Sequence, residues 1–159
     1  MAHLCKSHTS VSAVRLDQPL KGAILISPWI TFAQNSRSMT ENEQLDFLTK
    51  PLLKRSSNAL MGDAPEDVYN TPKSAGAEFW RDLREKVASV RVVAGELELF
   101  VDDVRESVRT IQATKENDVE LFVQDRGQHT PPLQDVFKGR EAPATVRLNE
   151  WIAELTRAS

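Results

Sequence analysis

Apolar residues in this chain come in short blocks between long polar stretches, and the blocks alternate in period. Ala23-Ile24-Leu25-Ile26 is a continuous apolar run after Gly22 and before Pro28. Such a run suits a strand covered on both faces, and proline, which cannot donate to a ladder, ends it. Val90, Val92, Val93 and Ala94 predict a second strand; Val119 to Val123, centred on Leu121 and Phe122, predict a third. Val104, Val108 and Ile111 share one stripe of a helix that Asp102 or Asp103 is placed to cap. Leu148, Trp151, Ile152 and Leu155 have the i, i+3, i+4, i+7 spacing of a last amphipathic helix. Strands alternating with helices imply an α/β fold, a mostly parallel sheet flanked by helices.

The stretch from Ser36 to about Lys86 is polar and reads as helical. Thr49 can cap a helix with Pro51 in its early turn, Leu52, Leu53, Leu60 and Met61 on its apolar side, and Gly62 as its stop. Asp63 to Ser74 holds Pro65 and Pro72 and reads as loop, and Phe79, Leu83 and Val87, four apart, mark a second short amphipathic helix. This segment is long for a crossover. We read 34–88 as a cap-like insertion over an edge or end of the sheet, within a domain spanning 21–159. The first 20 residues carry Ser7, Thr9, Ser10, Ser12, His3 and His8, show no period, and predict a loosely held polar arm.

Composition narrows the functions. The 159 residues suit one domain, and 40% hydrophobic with 27% charged residues argue against disorder. A net charge of −3 weighs against nucleic acid as a partner. Cys5 is the sole cysteine, which excludes an internal disulfide and a Cys-rich zinc site. No apolar run approaches the ~20 residues of a membrane span, and residues 1–20 lack the apolar core of a secretory signal. A cytoplasmic protein without metal or cofactor is expected. Cys5 could be imagined as a thiol nucleophile, or as a metal ligand with His3 and His8, but in a loose arm it reads as incidental.

In open parallel sheets, functional groups gather beyond the carboxyl ends of the strands. Two loops qualify: Gly95-Glu96-Leu97-Glu98-Leu99-Phe100-Val101-Asp102-Asp103 and Asp125-Arg126-Gly127-Gln128-His129-Thr130-Pro131-Pro132. One offers carboxylates and the other an imidazole, so an acid–histidine pair at one end of the sheet is reasonable. The plainer alternatives are that Asp102 and Asp103 are helix caps and that His129 is a solvated loop residue. Trp29 and Phe32 could line a substrate cleft or simply pack.

Three stretches together resemble the C-terminal half of the hormone-sensitive-lipase-like branch of the α/β-hydrolases, fungal members in particular. Leu25-Ile26-Ser27-Pro28-Trp29 resembles the strand end ahead of the cap insertion. Val92 through Asp103 resembles the acid loop, and Gly127-Gln128-His129 the loop of the catalytic histidine. The resemblance implies a partial α/β-hydrolase sheet, Glu98 as the catalytic acid with Asp102 as the alternative, and His129 as the general base. Where bacterial members mostly carry aspartate followed by proline, this chain has Glu98 followed by Leu99. It also implies carboxylic-ester hydrolysis of a small-molecule ester, in a secondary-metabolite setting for some fungal members. The G-x-S-x-G elbow is missing: no two of Gly22, Gly62, Gly76, Gly95, Gly127 and Gly139 are four apart. No histidine is followed by glycine, so an HGGG oxyanion loop is missing as well. The expectation is a truncated chain with little or no activity alone. The alternative is a non-catalytic module that self-associates, or takes a partner, through an open sheet edge.

Overall fold

The computed structural model describes residues 1–8 and 14–157. Three parallel strands, β1 (Ala23–Ile26), β2 (Val90–Gly95) and β3 (Val119–Gln124), lie in the order β1-β2-β3. Ala23 pairs with Val90, and Val90 with Val119, so the strands start level; β2 and β3 end together at Gly95 and Gln124, two residues beyond the end of β1 at Ile26. Their carboxyl ends therefore open on one rim. This is the parallel sheet flanked by helices expected from the sequence.

β2 is central, and its near-continuous apolar character follows from having both faces covered. Its Val90, Val92 and Ala94 join Leu121 and Val123 of β3 in one core with Val104, Val108 and Ile111. These last three lie on helix α4 (Val101–Gln112). Val93 faces the other way, with Ile24 and Phe122, onto Ala144 and Trp151 of helix α6 (Pro143–Arg157). The period-2 alternation of β2 and β3 thus sorts side chains between two helical layers. On α6 the expected stripe is partly corrected. Trp151 is fully buried, but Ile152 is 45% exposed, and Ala144, about two turns before Trp151 on the same face, takes the core position.

The insertion between β1 and β2 holds short helix α2 (Arg37–Glu41) and α3 (Lys50–Met61). For α3 the expected ends stand: the Thr49 side chain accepts from the Leu52 N–H, and Gly62 adopts φ +52°. Its apolar side is thinner than expected. Leu53 is buried while Leu52 and Leu60 are exposed, because α3 lies on the surface and touches the core along Leu53 and Ser57 alone among its buried residues. Phe79, Leu83 and Val87 do not form an α-helix. Two 3₁₀ turns, Ala77–Trp80 and Leu83–Glu85, stand there instead. A 3₁₀ turn repeats every three residues, which buries Trp80 with Leu83 and leaves Phe79 at the margin.

Helix α1 (Ala2–Cys5) corrects the reading of the start of the chain as a loose arm. Ala2 is buried, Met1, Leu4 and Cys5 pack on the core, and the His3 ring stacks on Tyr69 at 4.6 Å. Thr9, Ser10 and Ser12, which prompted that reading, lie outside the described residues.

Candidate active site

The rim is assembled around Gly95, the last residue of β2. A Cβ at this position would collide with the backbone carbonyl oxygens of Gly127 and Gln128, so only glycine lets the two loops meet here. Glu96 N–H donates to Gln124 O at 3.0 Å and Leu97 N–H to Gly127 O at 2.8 Å, which laces the loops together at their base. From this base Glu98 and His129 rise side by side, with Glu98 Oε2 and His129 Nδ1 3.9 Å apart. Glu98 has no exposed surface, and the His129 side chain is 17% exposed.

Ser27 supports the pair from beneath. Its Oγ donates to Glu98 Oε2 at 2.5 Å and accepts the Thr130 N–H at 2.8 Å. The Gly95 N–H donates to the same Oε2 at 3.0 Å. Both bonds fall on Oε2, which leaves Glu98 Oε1 buried without a partner, as is His129 Nδ1. Buried polar atoms are rarely left this way, and catalytic hydrogen bonds are often long in an empty site. Among the described residues, the three non-glycine residues with positive φ all stand at this rim: Ser27 at 45°, Arg126 at 51° and Thr130 at 54°. Backbone in that sparsely occupied region collects where a site dictates side-chain direction.

Burial governs the protonation of both groups. It pushes the Glu98 carboxyl up to about 7, with Asp46 adding to the rise and the Ser27 and Gly95 bonds opposing it. Burial also lowers the His129 pKa, and the nearby Asp46 opposes that. A low-dielectric pocket thus favours a pair with no net charge. Phe100 and Phe47 wall the imidazole edge-on, at 5.3 and 5.7 Å between ring centroids.

The remaining sequence candidates go elsewhere. Asp102 and Asp103 sit in the first turn of α4 but make no side-chain cap bond. Asp102 Oδ2 accepts the Ser38 N–H at 2.9 Å; Asp103 accepts from Ser36 Oγ at 3.1 Å and from Lys73 Nζ at 2.7 Å. Both hold the insertion down, and the bonds of Asp102 leave Glu98 as the carboxylate beside His129. Trp29 stacks on Phe100 at 6.0 Å and meets Phe32 edge-on, which is packing rather than a cleft lining. Among the described residues no cluster of three His, Cys, Asp or Glu could hold a metal ion. No helix among them is long and apolar enough to cross a membrane.

A row of insertion residues went unrecognised in the sequence. Ser38, Asn42 and Asp46 are four apart and buried, while their neighbours Leu45 and Phe47 are exposed. Ser38 Oγ donates to Leu99 O, Asn42 Nδ2 to the carbonyls of Glu96 and Glu98, and Asp46 Oδ2 accepts the Leu99 N–H. The i, i+4, i+8 spacing of polar side chains was the available signal.

A family model described as steryl acetyl hydrolase matches residues 14–142, which takes in the insertion and both loops. The chain belongs to the steryl acetyl hydrolase family. No curated protein matches the sequence. Among solved structures, an esterase of the bacterial hormone-sensitive lipase family is 24% identical with a TM-score of 0.60, covering 70% of this chain and 36% of its own. A hormone-sensitive lipase from a metagenome library is 18% identical with a TM-score of 0.72, covering 89% and 44%. A hormone-sensitive-lipase homologue from a metagenome library is 17% identical with a TM-score of 0.69, covering 88% and 45%. At these identities the likeness is one of fold. This steryl acetyl hydrolase family member spans less than half the length of each of these structures.

Proposed function

We propose that this chain carries the acid and the base of a serine-type carboxylic-ester hydrolase site, with Glu98 as the acid and His129 as the base. The observation that carries the reading is the approach of Glu98 Oε2 to His129 Nδ1 at 3.9 Å, on adjacent loops beyond adjacent parallel strands. In this reading a serine hydroxyl attacks the ester carbonyl and His129 Nε2 takes its proton. Glu98 turns the Nδ1–H inward and stabilises the imidazolium. His129 then gives the proton to the departing alcohol, and water repeats the cycle on the acyl-enzyme. An acetyl ester of an apolar alcohol is the substrate class the family name suggests. A fungal secondary-metabolite setting is the context we propose with it.

No residue of this chain is offered as the nucleophile. Ser27 is nearest, but its Oγ lies at the acid's end of the pair and both its hydrogen bonds are taken by Glu98 and Thr130. The chain alone is therefore expected to hydrolyse p-nitrophenyl acetate little or not at all. A burst of p-nitrophenol that His129→Ala abolishes would overturn this. The positive test joins these residues to the nucleophile-bearing segment of a solved esterase of the same fold. Turnover lost in His129→Ala and lowered in Glu98→Gln supports the reading, and turnover indifferent to both contradicts it.

A second reading, an assembly module, draws on β1. This strand is paired on one side only, and an apolar cavity of about 210 Å³ lies beside it, lined by Leu25, Ile30, Val92, Val108 and Trp80. Self-association by light scattering supports it, and a monomer at high concentration contradicts it.

A further inference from the structure

We propose that Asp46 is a positioning residue that sets the separation of Glu98 and His129 from the insertion; this rests on the reading of those two as an acid–base pair. The loops that carry them are bonded at their base through Glu96, Leu97 and Gly95. Ser27 joins them again from the strand side. On the opposite side, Asp46 reaches both. Its Oδ2 accepts the N–H of Leu99, the residue after Glu98, at 2.9 Å. Its Oδ1 accepts the N–H of His129 itself at 3.3 Å and that of Phe47 at 2.8 Å.

Three backbone donors from three places converge on a carboxylate only 9% exposed. A charge held this far from water persists only when its lone pairs are filled. Here the donors belong to the two catalytic loops and to the insertion, so the same bonds that satisfy the carboxylate fix the spacing of those loops. Phe47, the next residue, lays its ring against His129, which brings one wall of the imidazole from the same clamp. Gln128 Nε2 donates to Leu45 O at 2.6 Å and seals the histidine loop to the residue preceding Asp46.

The charge of Asp46 acts alongside its geometry. The carboxylates facing the imidazole are Glu98 from the acid loop and Asp46 from the insertion, with Phe47 and Phe100 as its apolar walls. Asp46 favours the protonated form of both members of the pair. An insertion that lifts away removes this carboxylate and loosens the pair in the same motion.

Asp46→Asn is the test, because the amide is isosteric but presents a donor to one of the N–H groups it must accept. By NMR on the intact chain, the His129 titration midpoint shifts down and the Leu99 and His129 amides exchange faster. An unchanged midpoint with unchanged amides overturns the proposal. Should this variant fail to fold, the wild-type chain gives the second reading. In native-state hydrogen exchange at rising urea the Leu99 and His129 amides lose protection together and before the amides of β2; independent loss, or loss only with β2, overturns it. None of these readouts depends on hydrolysis. Failure here leaves the ester-hydrolase reading standing, and failure of the joined esterase leaves the Asp46 clamp standing.

Discussion

Ser27 Oγ and Glu98 Oε2 lie 2.5 Å apart, the hydroxyl donating, and the same oxygen of Ser27 receives the Thr130 N–H. One small side chain at the end of β1 therefore holds the acid and the histidine loop at once. Ser27→Ala leaves a buried carboxylate oxygen and a buried N–H each short of a partner, at about 1–3 kcal/mol for such a group. A fall in the urea midpoint with unchanged slope is the expected readout. The Glu98 carboxyl should also move further up, because the Ser27 bond is among the contacts that hold it down.

Gly95→Ala should damage the rim without touching a reactive group. The added methyl meets the Gly127 and Gln128 carbonyls, which are backbone and cannot swing aside. Overpacking of this kind costs about 1–3 kcal/mol and separates the two loops. Gly76→Ala is the control, since nothing lies within 4 Å of a Cβ there. Thermal denaturation of both variants decides it: a similar Tm for the two contradicts the close approach.

The strands, the two faces of the sheet and the acid and histidine loops were legible because each rests on local pattern. Continuous apolar runs give buried strands, and loops beyond their carboxyl ends follow from topology. Glu98 and His129 were singled out by resemblance to a family motif. Asp46 was not, because its one local mark, the i, i+4, i+8 spacing with Ser38 and Asn42, is shared by any solvated helix face. It lies in a polar stretch that reads as solvated, and its partners Leu99 and His129 are 53 and 83 residues away. The 3₁₀ turns around Trp80 and Leu83 were read as α-helix because Phe79, Leu83 and Val87 happen to fall four apart. Pro131 and Pro132 were read as the end of the histidine loop, but they open helix α5 (Pro131–Phe137). Pro131 and Pro132 suggest breakage, yet proline is well suited to a first helical turn, where its missing N–H needs no partner.

Glu98 should make the fold less stable as pH rises. Its folded pKa of about 7 lies above the unfolded value of 4.5, so the folded state binds more protons between the two. Stability from this group is fully present below pH 4.5, is lost on rising through 7, and amounts to on the order of 3 kcal/mol. His129 works the other way below its ordinary value of 6.5, because its lowered folded pKa leaves the unfolded state with more protons. Comparing wild type with Glu98→Gln isolates the first effect. The variant should be the more stable of the two at pH 8, and a difference that does not grow from pH 4 to pH 8 contradicts the buried carboxyl.

Trp151→Ala should cost about 3–5 kcal/mol, the range for emptying a fully buried aromatic site. It removes the side chain that joins α6 to Val93, Ile24 and Phe122. Ile152→Ala, one residue on and 45% exposed, should cost far less. Equal losses by denaturant unfolding would restore the amphipathic stripe read from the spacing and contradict the burial described here.

Glu98 and His129 acting as one acid–base pair is best examined on the pair itself. The decisive measurement is an NMR titration of the His129 ring in the wild-type chain and in Glu98→Gln. In the wild type the His129 ring resonances should respond to the ionisation of Glu98 at about pH 7, a step that the variant lacks. Superimposable titration curves would mean that the two groups do not share a proton, and the acid–base assignment would fall.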